Sequence, residues 1–356
     1  MALNHQEIRG GPLVRGREPT VSIVIVNWNT KALLLQCLAS LRLFATGGTF
    51  EVIVVDNASV DGSTAMMASE FPEFLCIANS DNLGFAAACN QGIEASSGRH
   101  VLLLNSDAYL IEDAIFPLVT ELEAYHDIGM ISGQLLNEDR SLQGTCGVFP
   151  SLSNSLRARM RNILSFGKAR PLKYPFHSVE EHGLARDVDW IAGAFMLVRR
   201  DAIEKVGLLD ASIFLFAEEW DWCLRFQRAG YRIRFSPTVR LVHMGSGSWT
   251  MDGALLNQAR RAGIYHFCRK HYGSLRAGVF LLATGVGCSL RLASSCAKWL
   301  FSPRRRGVLR KDIGSAWRGM LWALIPRKRW KIRGSDLLVS SSAVTSPRSD
   351  PTEDSA

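Results

Sequence analysis

The strongest constraint on the fold is an alternation, between residues 21 and 125, of short apolar runs with amphipathic segments. The apolar runs cover residues 21–26, 51–55, 74–78 and 101–104. A helical spacing of apolar residues follows each run, over about 31–44, 62–70, 84–95 and 113–125. Short buried strands that alternate with helices build parallel βαβ units. The sequence therefore predicts the α/β class, with a Rossmann-like, mostly parallel sheet flanked by helices.

Polar side chains follow all four apolar runs. They occupy residues 27–29 (Asn-Trp-Asn), 56–59 (Asp-Asn-Ala-Ser), 79–82 (Asn-Ser-Asp-Asn) and 105–107 (Asn-Ser-Asp). Ligands of open α/β sheets bind beyond the carboxyl ends of the strands. Asn, Asp and Ser also favour turns and helix N-termini, so each cluster taken alone has a structural explanation. Their coincidence at one predicted sheet edge favours a binding site.

The second half of the chain has a less regular pattern. Strands are predicted within 128–150, 190–199, 231–235 and 239–243, helices over 218–229 and 253–272, and a polar loop over 151–187. The predicted organisation is a flexible N-terminus (1–20), a main domain (21–272), a basic helical extension (273–334) and a disordered tail (335–356). Within the main domain, residues 21–127 form the first half and residues 128–272 the second.

Basic charge is concentrated near the C-terminus. The chain carries 41 Lys and Arg against 33 Asp and Glu, a formal net charge of +8. Residues 304–333 hold eleven basic residues and one acid, Asp312, so this segment contributes +10 and the rest of the chain −2. A nucleic-acid-binding protein that is basic throughout is therefore excluded, and no nucleic acid is predicted as a partner.

An apolar segment, residues 278–290, lies between Arg276 and Arg291. The fourteen residues between these arginines are fewer than the about 20 that a membrane-spanning helix needs. Residues 308–325 again combine tryptophan and aliphatic residues with basic ones. Such segments are typical of helices in the plane of an anionic membrane surface. We predict a membrane-associating helical extension, with a solvated basic helix packed on the domain as the alternative.

Cysteine usage and the first residues bear on the compartment. The eight cysteines form no Cys-x-x-Cys pair, which is typical of reduced, buried thiols. The first twenty residues lack the apolar core of a secretory signal. We therefore expect a cytoplasmic domain, peripherally associated with the inner face of the plasma membrane.

The glycine fingerprints of nucleotide-binding folds are missing. No Gly-x-Gly-x-x-Gly follows the first strand, and no Gly-x-x-x-x-Gly-Lys occurs, which argues against a dehydrogenase or a P-loop protein. A divalent cation held by a carboxylate is another way to bind a diphosphate, and Asp107, after the fourth strand, suits that role. The alternative for Asp107 alone is a helix N-cap.

Seven ordered motifs together resemble the inverting glycosyltransferases of family 2, which have the GT-A fold, and within them the bacterial rhamnosyltransferase-like branch. The motifs lie at residues 21–29, 54–63, 82–92, 103–107, 190–199, 218–225 and 243–248 (VSIVIVNWN, VVDNASVDGS, NLGFAAACNQG, LLNSD, WIAGAFMLVR, EEWDWCLR and HMGSGS). The resemblance runs from about Val21 to Tyr272. It implies that residues 21–272 are the glycosyltransferase domain, with the nucleotide-sugar half over residues 21–127 and the acceptor and catalytic half over residues 128–272.

The resemblance implies a donor site and a metal site. Asp56 matches the aspartate that binds the nucleotide base. The other residues that it implies for nucleotide-sugar binding are Asn27, Asn29, Asn57, Gly84, Asn90, Asn105 and Ser106. Asp107 matches the last residue of the metal-binding Asp-x-Asp motif, and His243 a further metal ligand for Mg²⁺ or Mn²⁺. Asn105 departs from that motif, which leaves one carboxylate where the motif has two.

The resemblance also implies a catalytic and an acceptor set. Glu219 matches the general base that inversion requires, since a carboxylate must take the proton of the acceptor hydroxyl. Asp221 is implied to orient that base or the acceptor. The implied acceptor contacts are Trp190, Gly193, Glu218 and Trp249. The alternative for the acids is an exposed ion-pair face, because residues 218, 221 and 225 share one side of a helix.

The implied reaction is metal-dependent transfer of a sugar to a saccharide, expected to be lipid-linked, in the synthesis of a bacterial surface polysaccharide. L-Rhamnose from dTDP-rhamnose is the first donor that the resemblance suggests. A UDP-hexose or galactofuranose donor, or a non-catalytic nucleotide-sugar-binding module at the membrane, stays open. The expected partners are the nucleotide-sugar, the lipid-linked or oligosaccharide acceptor, the cytoplasmic membrane surface and, in a homodimer, a second copy.

Overall fold

The predicted alternation of strands and helices is present in the first half of the chain. The computed structural model describes residues 6–8, 18–149, 176–245, 253–301 and 306–324. The strands are β1 (Gln6–Ile8), β2 (Val21–Asn27), β3 (Phe50–Asp56), β4 (Leu75–Ala78), β5 (His100–Asn105) and β6 (Ala108–Leu110). The helices are α1 (Lys31–Phe44), α2 (Ser63–Glu70), α3 (Phe85–Glu94) and α4 (Phe116–Ala124).

The second half adds strands whose lengths are more uneven. They are β7 (Ile128–Leu136), β8 (Cys146–Gly147), β9 (Arg186–Asp187), β10 (Trp190–Ile191), β11 (Phe195–Arg199) and β12 (Arg232–His243). The helices are α5 (Arg200–Val206), α6 (Glu218–Arg228), α7 (Gly253–Phe301) and α8 (Arg306–Leu324), with one 3₁₀ turn at Glu181–Gly183. The two strands predicted over 231–235 and 239–243 form the single strand β12, whose pairing with β7 is irregular between Phe235 and Arg240.

The central sheet is mixed around a parallel block. Among the described residues its order is β1-β4-β3-β2-β5-β11-β7-β12-β6, with β9 paired to β12. Strands β4, β3, β2 and β5 run parallel, and β12 runs parallel to β7. Strand β11 is antiparallel to both β5 and β7. The predicted α/β class, with a mostly parallel central sheet flanked by helices, is confirmed.

The core lies on both faces of this sheet. Because strand side chains alternate between faces, Ile23 and Ile25 pack with Leu34 and Leu38 of α1. Val24 points to the other face, into a second cluster that includes residues of α3, α6 and α7. The sheet edge between these layers carries the polar residues.

Part of the N-terminal segment lies within the described residues. Residues 6–8, expected to be part of a flexible N-terminus, form strand β1, which pairs antiparallel with β4. The outer edge of β4 offers unpaired backbone N–H and C=O groups, and β1 satisfies them.

Helix α7 reverses direction within its length. It is broken at Gly273, whose φ of 85° lies in the left-handed region. The Nη2 atom of Arg261 lies 4.0 Å from the Sγ atom of Cys288 although 27 residues separate them. A straight helix would hold these residues about 40 Å apart. Residues 253–272 and 274–301 are therefore two arms packed side by side, here called arm one and arm two.

Arm two also packs on α8, where Gly285 faces Ala323 and Gly319 faces Cys288.

Within the described residues, one helix, residues 256–299 of α7, is long and apolar enough to cross a membrane by length and composition. The predicted tail (335–356) and most of the predicted loop at 151–187 lie outside the described residues.

Candidate active site

Asn27 and Asp56 form the base of the site where two parallel strands end. They are direct neighbours in the register of β2 and β3, and both are buried. The Nδ2 atom of Asn27 donates to Asp56 Oδ2 at 2.7 Å and to Ser59 Oγ at 3.1 Å. The backbone N–H of Ser59 donates to Asp56 Oδ1 at 2.8 Å. Both carboxylate oxygens of Asp56 are therefore fixed before any ligand binds.

Asn29 joins the loops that follow β2 and β3. Its φ of 53° lies in the left-handed region, which Asn tolerates better than most residues. Its backbone N–H donates to Ser59 Oγ at 2.8 Å, and its Oδ1 accepts from the N–H of Val60 at 2.8 Å. The residue thus shapes the rim beside Asp56.

Asn57, Gly84 and Asn90 connect the first half of the chain to the loop before α6. Asn57 Nδ2 donates to the carbonyl of Gly84 at 3.2 Å. At Gly84 (φ 86°) a Cβ atom would lie 2.6 Å from the carbonyl oxygen of Phe214, so only glycine fits. Asn90 exchanges two hydrogen bonds with the backbone of Leu209, at 2.9 and 3.0 Å. Contact of these residues with the donor stays a prediction, since their described contacts hold the two halves together.

Asp107 and His243 meet because β6 pairs with the end of β12, where Ala108 lies opposite His243. Asp107 Oδ1 lies 3.3 Å from His243 Nε2, and Asn105 Nδ2 lies 3.2 Å from the same nitrogen. Ser106 is turned the other way, with its Oγ 3.0 Å from Thr30 Oγ1. The predicted metal ligands are thus brought together, with Asn105 beside them.

Gln143 fixes the orientation of His243. Its Oε1 lies 2.6 Å from His243 Nδ1, and its Nε2 donates to Asn137 Oδ1 at 2.9 Å and to the His243 carbonyl at 3.1 Å. Because an amide oxygen only accepts, Nδ1 of His243 carries the proton and donates to Gln143. The Nε2 lone pair then faces Asp107, an arrangement common among metal-ligating histidines.

This arrangement fits a divalent cation that is completed by a ligand. The described residues contain no cluster of three or more His, Cys, Asp and Glu placed to hold a metal ion. Asp107 and His243 would supply two ligands, and the diphosphate of a nucleotide-sugar and water the others. The residues present therefore suit a cation that arrives with a diphosphate better than a permanently bound one.

Glu219 lies in the first turn of α6, beside the same edge. The N–H of Asn105 donates to the carbonyl of Ala194 at 3.0 Å, so the turn at Gly193 adjoins the end of β5. A Cβ atom at Gly193 would lie 4.0 Å from Cβ of Glu219. The absence of a side chain at Gly193 leaves room beside the side chain of Glu219.

The environment of Glu219 suits a general base. Burial raises its pKa to about 7. Backbone hydrogen bonds at Glu219 and Ala217 and the charge of Arg260 lower the pKa, but by less than burial raises it. A base with a pKa near the working pH is efficient because it is partly unprotonated and still binds a proton well. The residue as a whole is half-buried, whereas its neighbours Glu218 and Trp220 are buried.

Glu218, predicted to contact the acceptor, is buried instead. It is 5% exposed, and its Oε2 atom has no hydrogen-bond partner among the described residues. Burial, and then the neighbouring charge of Glu219, raise its pKa well above the ordinary value. Burial therefore favours the neutral form of Glu218, next to the ionisable Glu219.

A strained loop holds Glu219 in place. Residues 214–217, here called the base loop, contain two consecutive left-handed residues, Phe216 (φ 68°) and Ala217 (φ 69°). Arm one of α7 supports this loop: the guanidinium of Arg260 lies 4.8 Å from the ring centroid of Phe216. Gly263 lies so close to the carbonyl of Phe216 that a Cβ atom would clash with it. Such strain persists only where the surrounding structure enforces it.

Asp221 lies in an ion-pair cluster that joins α6 to arm one. Its Oδ1 accepts from Lys270 Nζ and His271 Nε2, both at 2.7 Å, and its Oδ2 accepts from Arg225 Nε at 2.8 Å. Burial raises the pKa of Asp221, but hydrogen bonds from His271 and Lys270 and the charge of Arg225 bring it down to about 2. The ion pair with Arg225, which belonged to the alternative interpretation, exists, but Asp221 is buried and does not lie on an exposed face. Asp221 is placed to orient α6 and not to accept a proton.

Trp190, predicted on the acceptor side, belongs to the core. It is 2% exposed, its ring centroid lies 5.2 Å from that of Phe176 and 5.5 Å from that of Trp220, and its Nε1 donates to the carbonyl of Val148 at 3.0 Å. The indole therefore supports the wall behind Gly193. Trp249 lies outside the described residues.

Sequence reasoning did not identify the residues that support the site. They are Gln143, Phe216, Arg260, Gly263 and Lys270. Nothing local marks Gln143, since its partner is 100 residues away. The spacing of Arg260 and Gly263 by three on a predicted helix indicates only a shared face.

The fold resembles that of known sugar-transferring enzymes. A mannosyltransferase of Pyrobaculum calidifontis, solved with GDP-mannose and Mn²⁺, superposes with a TM-score of 0.50 at 16% identity, over 86% of this chain and 88% of that one. The likeness supports the predicted GT-A-like fold. The chain also matches Glycosyl transferase family 2 over residues 22–207, just over half its length. The protein is thus a glycosyltransferase, and it belongs to glycosyl transferase family 2.

Two curated relatives of this chain are rhamnosyltransferases. The N-acetylglucosaminyl-diphospho-decaprenol L-rhamnosyltransferase of Mycobacterium tuberculosis is 26% identical over 268 residues, 72% of this chain and 86% of the relative. The rhamnosyltransferase WbbL of Escherichia coli is 28% identical over 145 residues, 40% of this chain and 52% of the relative. The predicted likeness to bacterial rhamnosyltransferases is confirmed.

Proposed function

We propose that this chain is a metal-dependent inverting glycosyltransferase in which Glu219 is the general base. The observation that carries the proposal is the position of Glu219, whose pKa burial raises to about 7, beside the side-chain-free Gly193. The paired Asp107 and His243 lie on the same sheet edge. A single displacement needs this geometry, with a base on the acceptor side and a diphosphate-binding group on the donor side.

Each group has a distinct task in the proposed reaction. Asp56 accepts a hydrogen bond from the nucleotide base, while Asn27 holds its carboxylate. Asp107 and His243 hold the divalent cation, which when bound neutralises charge on the nucleotide diphosphate. Glu219 takes the proton of the acceptor hydroxyl as its oxygen attacks the sugar carbon. Asp221 keeps α6 in position, and Glu218, being neutral, adds no second negative charge beside the base.

The proposed donor is dTDP-L-rhamnose and the proposed acceptor a saccharide on a lipid diphosphate, at the cytoplasmic face of the membrane. The support is the likeness to the mycobacterial L-rhamnosyltransferase, whose name specifies a GlcNAc-diphospho-lipid. The same edge would also accommodate a UDP-hexose, so the nucleotide and the sugar have to be measured.

A donor panel tests the proposal. The purified full-length protein is incubated with Mn²⁺, a detergent-solubilised GlcNAc-diphospho-lipid and, in turn, dTDP-rhamnose, UDP-glucose or UDP-galactofuranose, and nucleotide release is measured. We expect acceptor-dependent release of dTDP alone, and a product whose anomeric configuration is opposite to that of the donor. Release of UDP contradicts the donor assignment. Retained configuration contradicts the mechanism, and no release from any donor indicates a binding module.

A further inference from the structure

Arm two of α7 carries a row of apolar side chains on the face that points away from the protein. This apolar stripe consists of five exposed residues: Leu275, Val279, Leu282, Val286 and Leu290. At about 100° per residue they fall within an arc of about 80°. The side chains of Ala277 and Ser295, which are buried, lie on the opposite side of the helix. The stripe is therefore not the face by which arm two packs.

Exposed cations border the apolar stripe along one side. Arg276, Lys298 and Arg291 are exposed and project about 100°, 140° and 160° around the helix from Leu275. Residues 274–324 contain nine basic residues and a single acid, Asp312. The neighbouring helix α8 repeats the pattern, with exposed Trp317, Leu321 and Leu324. An apolar stripe flanked by cations complements a surface that is anionic outside and apolar beneath.

The position of the arginines decides how such a helix meets a bilayer. The apolar window within residues 256–299 has a mean hydropathy of 1.5 and is only 6% buried. Every stretch of about 20 residues within arm two that could span a bilayer contains Arg291, and a charged side chain within the hydrocarbon is unfavourable. With the helix in the membrane plane, the stripe faces the acyl chains while Arg276 and Lys298, beside it, reach the headgroups.

We propose that the apolar stripe and its flanking cations form a docking surface for an anionic bilayer, with arm two lying in the plane of the membrane. The docking surface would bring the active site to a lipid-borne acceptor, and this purpose rests on the proposed function. The docking itself does not require catalysis, because vesicle binding is measured without donor or acceptor. A second copy of this chain is the competing occupant of the stripe.

Two matched double variants test the docking surface in the full-length protein. Leu282→Glu with Leu290→Glu changes leucines that are 69% and 67% exposed on the stripe. Leu43→Glu with Leu184→Glu changes leucines that are 66% and 65% exposed elsewhere on the domain. Both pairs add the same charge, and circular dichroism checks that both fold. Co-sedimentation is measured with phosphatidylcholine vesicles, with and without about 30% phosphatidylglycerol, a fraction that gives an anionic surface.

We expect the wild type and the Leu43/Leu184 variant to bind the anionic vesicles equally and the Leu282/Leu290 variant about tenfold more weakly or worse. Binding should weaken with added salt and without phosphatidylglycerol, and alkaline carbonate should release the protein from membranes. Equal vesicle binding by the two double variants contradicts the role of the stripe. Vesicle binding that does not depend on phosphatidylglycerol or salt contradicts the role of the cations. Protein that stays on the membranes after the carbonate wash contradicts the in-plane orientation.

Two further measurements separate the remaining explanations. Size-exclusion chromatography shows whether the wild type is a dimer. If it is, and if the Leu282/Leu290 variant is monomeric but binds vesicles as the wild type does, the stripe contacts a second copy and the proposal is overturned. Nucleotide release with the detergent-solubilised acceptor should be the same for the wild type and the Leu282/Leu290 variant. Absence of release in both, with vesicle binding intact, contradicts the proposed function and leaves the docking surface standing.

Discussion

The donor side and the base side of the site are built in different ways. On the donor side, Asn27 and Asp56 are the last residues of neighbouring strands, and the pairing of β2 with β3 fixes their positions. On the base side, Glu219 follows two left-handed residues, and contacts from arm one of α7 hold the base loop against Arg260 and Gly263. Sheet pairing gives a rigid binding floor, whereas the base depends on distant packing.

Two acids of α6 show the same contrast within one helix turn. Burial raises the pKa of Glu219 to about 7, and the charge of Arg260 lowers it only in part. Asp221 is also buried, yet His271, Lys270 and Arg225 bring its pKa to about 2. The partners of a carboxylate, more than its depth, decide whether it serves as a base or as a structural ion pair. Each prediction below changes one side of this contrast.

The largest effect is expected from removing the base. Glu219→Gln keeps the shape of the side chain and should lower kcat by about 10²–10⁴-fold, the usual contribution of a general base. The KM for the donor should stay nearly constant, because the donor side is unchanged. Steady-state nucleotide release measures both quantities. Glu204→Gln, an exposed acid on α5, is the matched control, and equal loss in the two variants contradicts the assignment.

The next effect tests whether arm one holds the base loop. Gly263→Ala places a Cβ atom against the carbonyl of Phe216 and should displace Glu219, lowering kcat by about 10²-fold, as misplacement by about 1 Å can. Gly287→Ala is the control on the same helix, since no atom lies within 4 Å of its added Cβ. Its kcat should equal that of the wild type. A Gly263→Ala enzyme with unchanged kcat would show that the base loop is held by other contacts.

On the donor side, Gln143→Met removes the hydrogen bond that fixes the tautomer of His243. Loss of such a partner weakens a metal site by about 10–100-fold, so the Mn²⁺ concentration for half-maximal activity should rise by that factor. Activity should return at saturating Mn²⁺, because the ligands themselves remain. Gln36→Met, at an exposed position of α1, should match the wild type. Activity that persists in excess EDTA contradicts a metal role for Asp107 and His243.

The smallest effect is the pH dependence of the intact enzyme. Because the raised pKa of Glu219 is about 7, the unprotonated fraction of the base falls as the pH drops through 7. The value of kcat/KM should therefore decline by about tenfold per pH unit below pH 7 and level off above it. Initial rates between about pH 5.5 and 8.5 cover this range. A profile that is flat between pH 6 and 8 contradicts the raised pKa.

The donor side could be predicted from sequence and the base side only in part. Strand ends of a parallel sheet share one edge, so Asn27, Asp56 and Asp107 could be grouped without coordinates. The partners of Asp221 could not be predicted, because Lys270 and His271 come from a helix about 50 residues later. The same pattern of acids and Arg225 fits an exposed helix face and a buried cluster equally well. Trp190 was ambiguous for a similar reason, since tryptophan suits both sugar stacking and a core.

The reversal of helix α7 at Gly273 sets the distance between Glu219 and the apolar stripe. Residues 261 and 263 project about 200° apart on arm one, so the contact with Cys288 on arm two and the contact with the base loop lie on opposite sides of arm one. On arm two, the apolar stripe lies opposite the face that packs. The order from Glu219 outwards is therefore base loop, arm one, arm two and, with the proposed docking surface, the membrane. Two helix diameters amount to about 20 Å. With the proposed docking surface, Glu219 is held at that height above the acyl chains, which favours acceptors whose reactive hydroxyl lies at the same height.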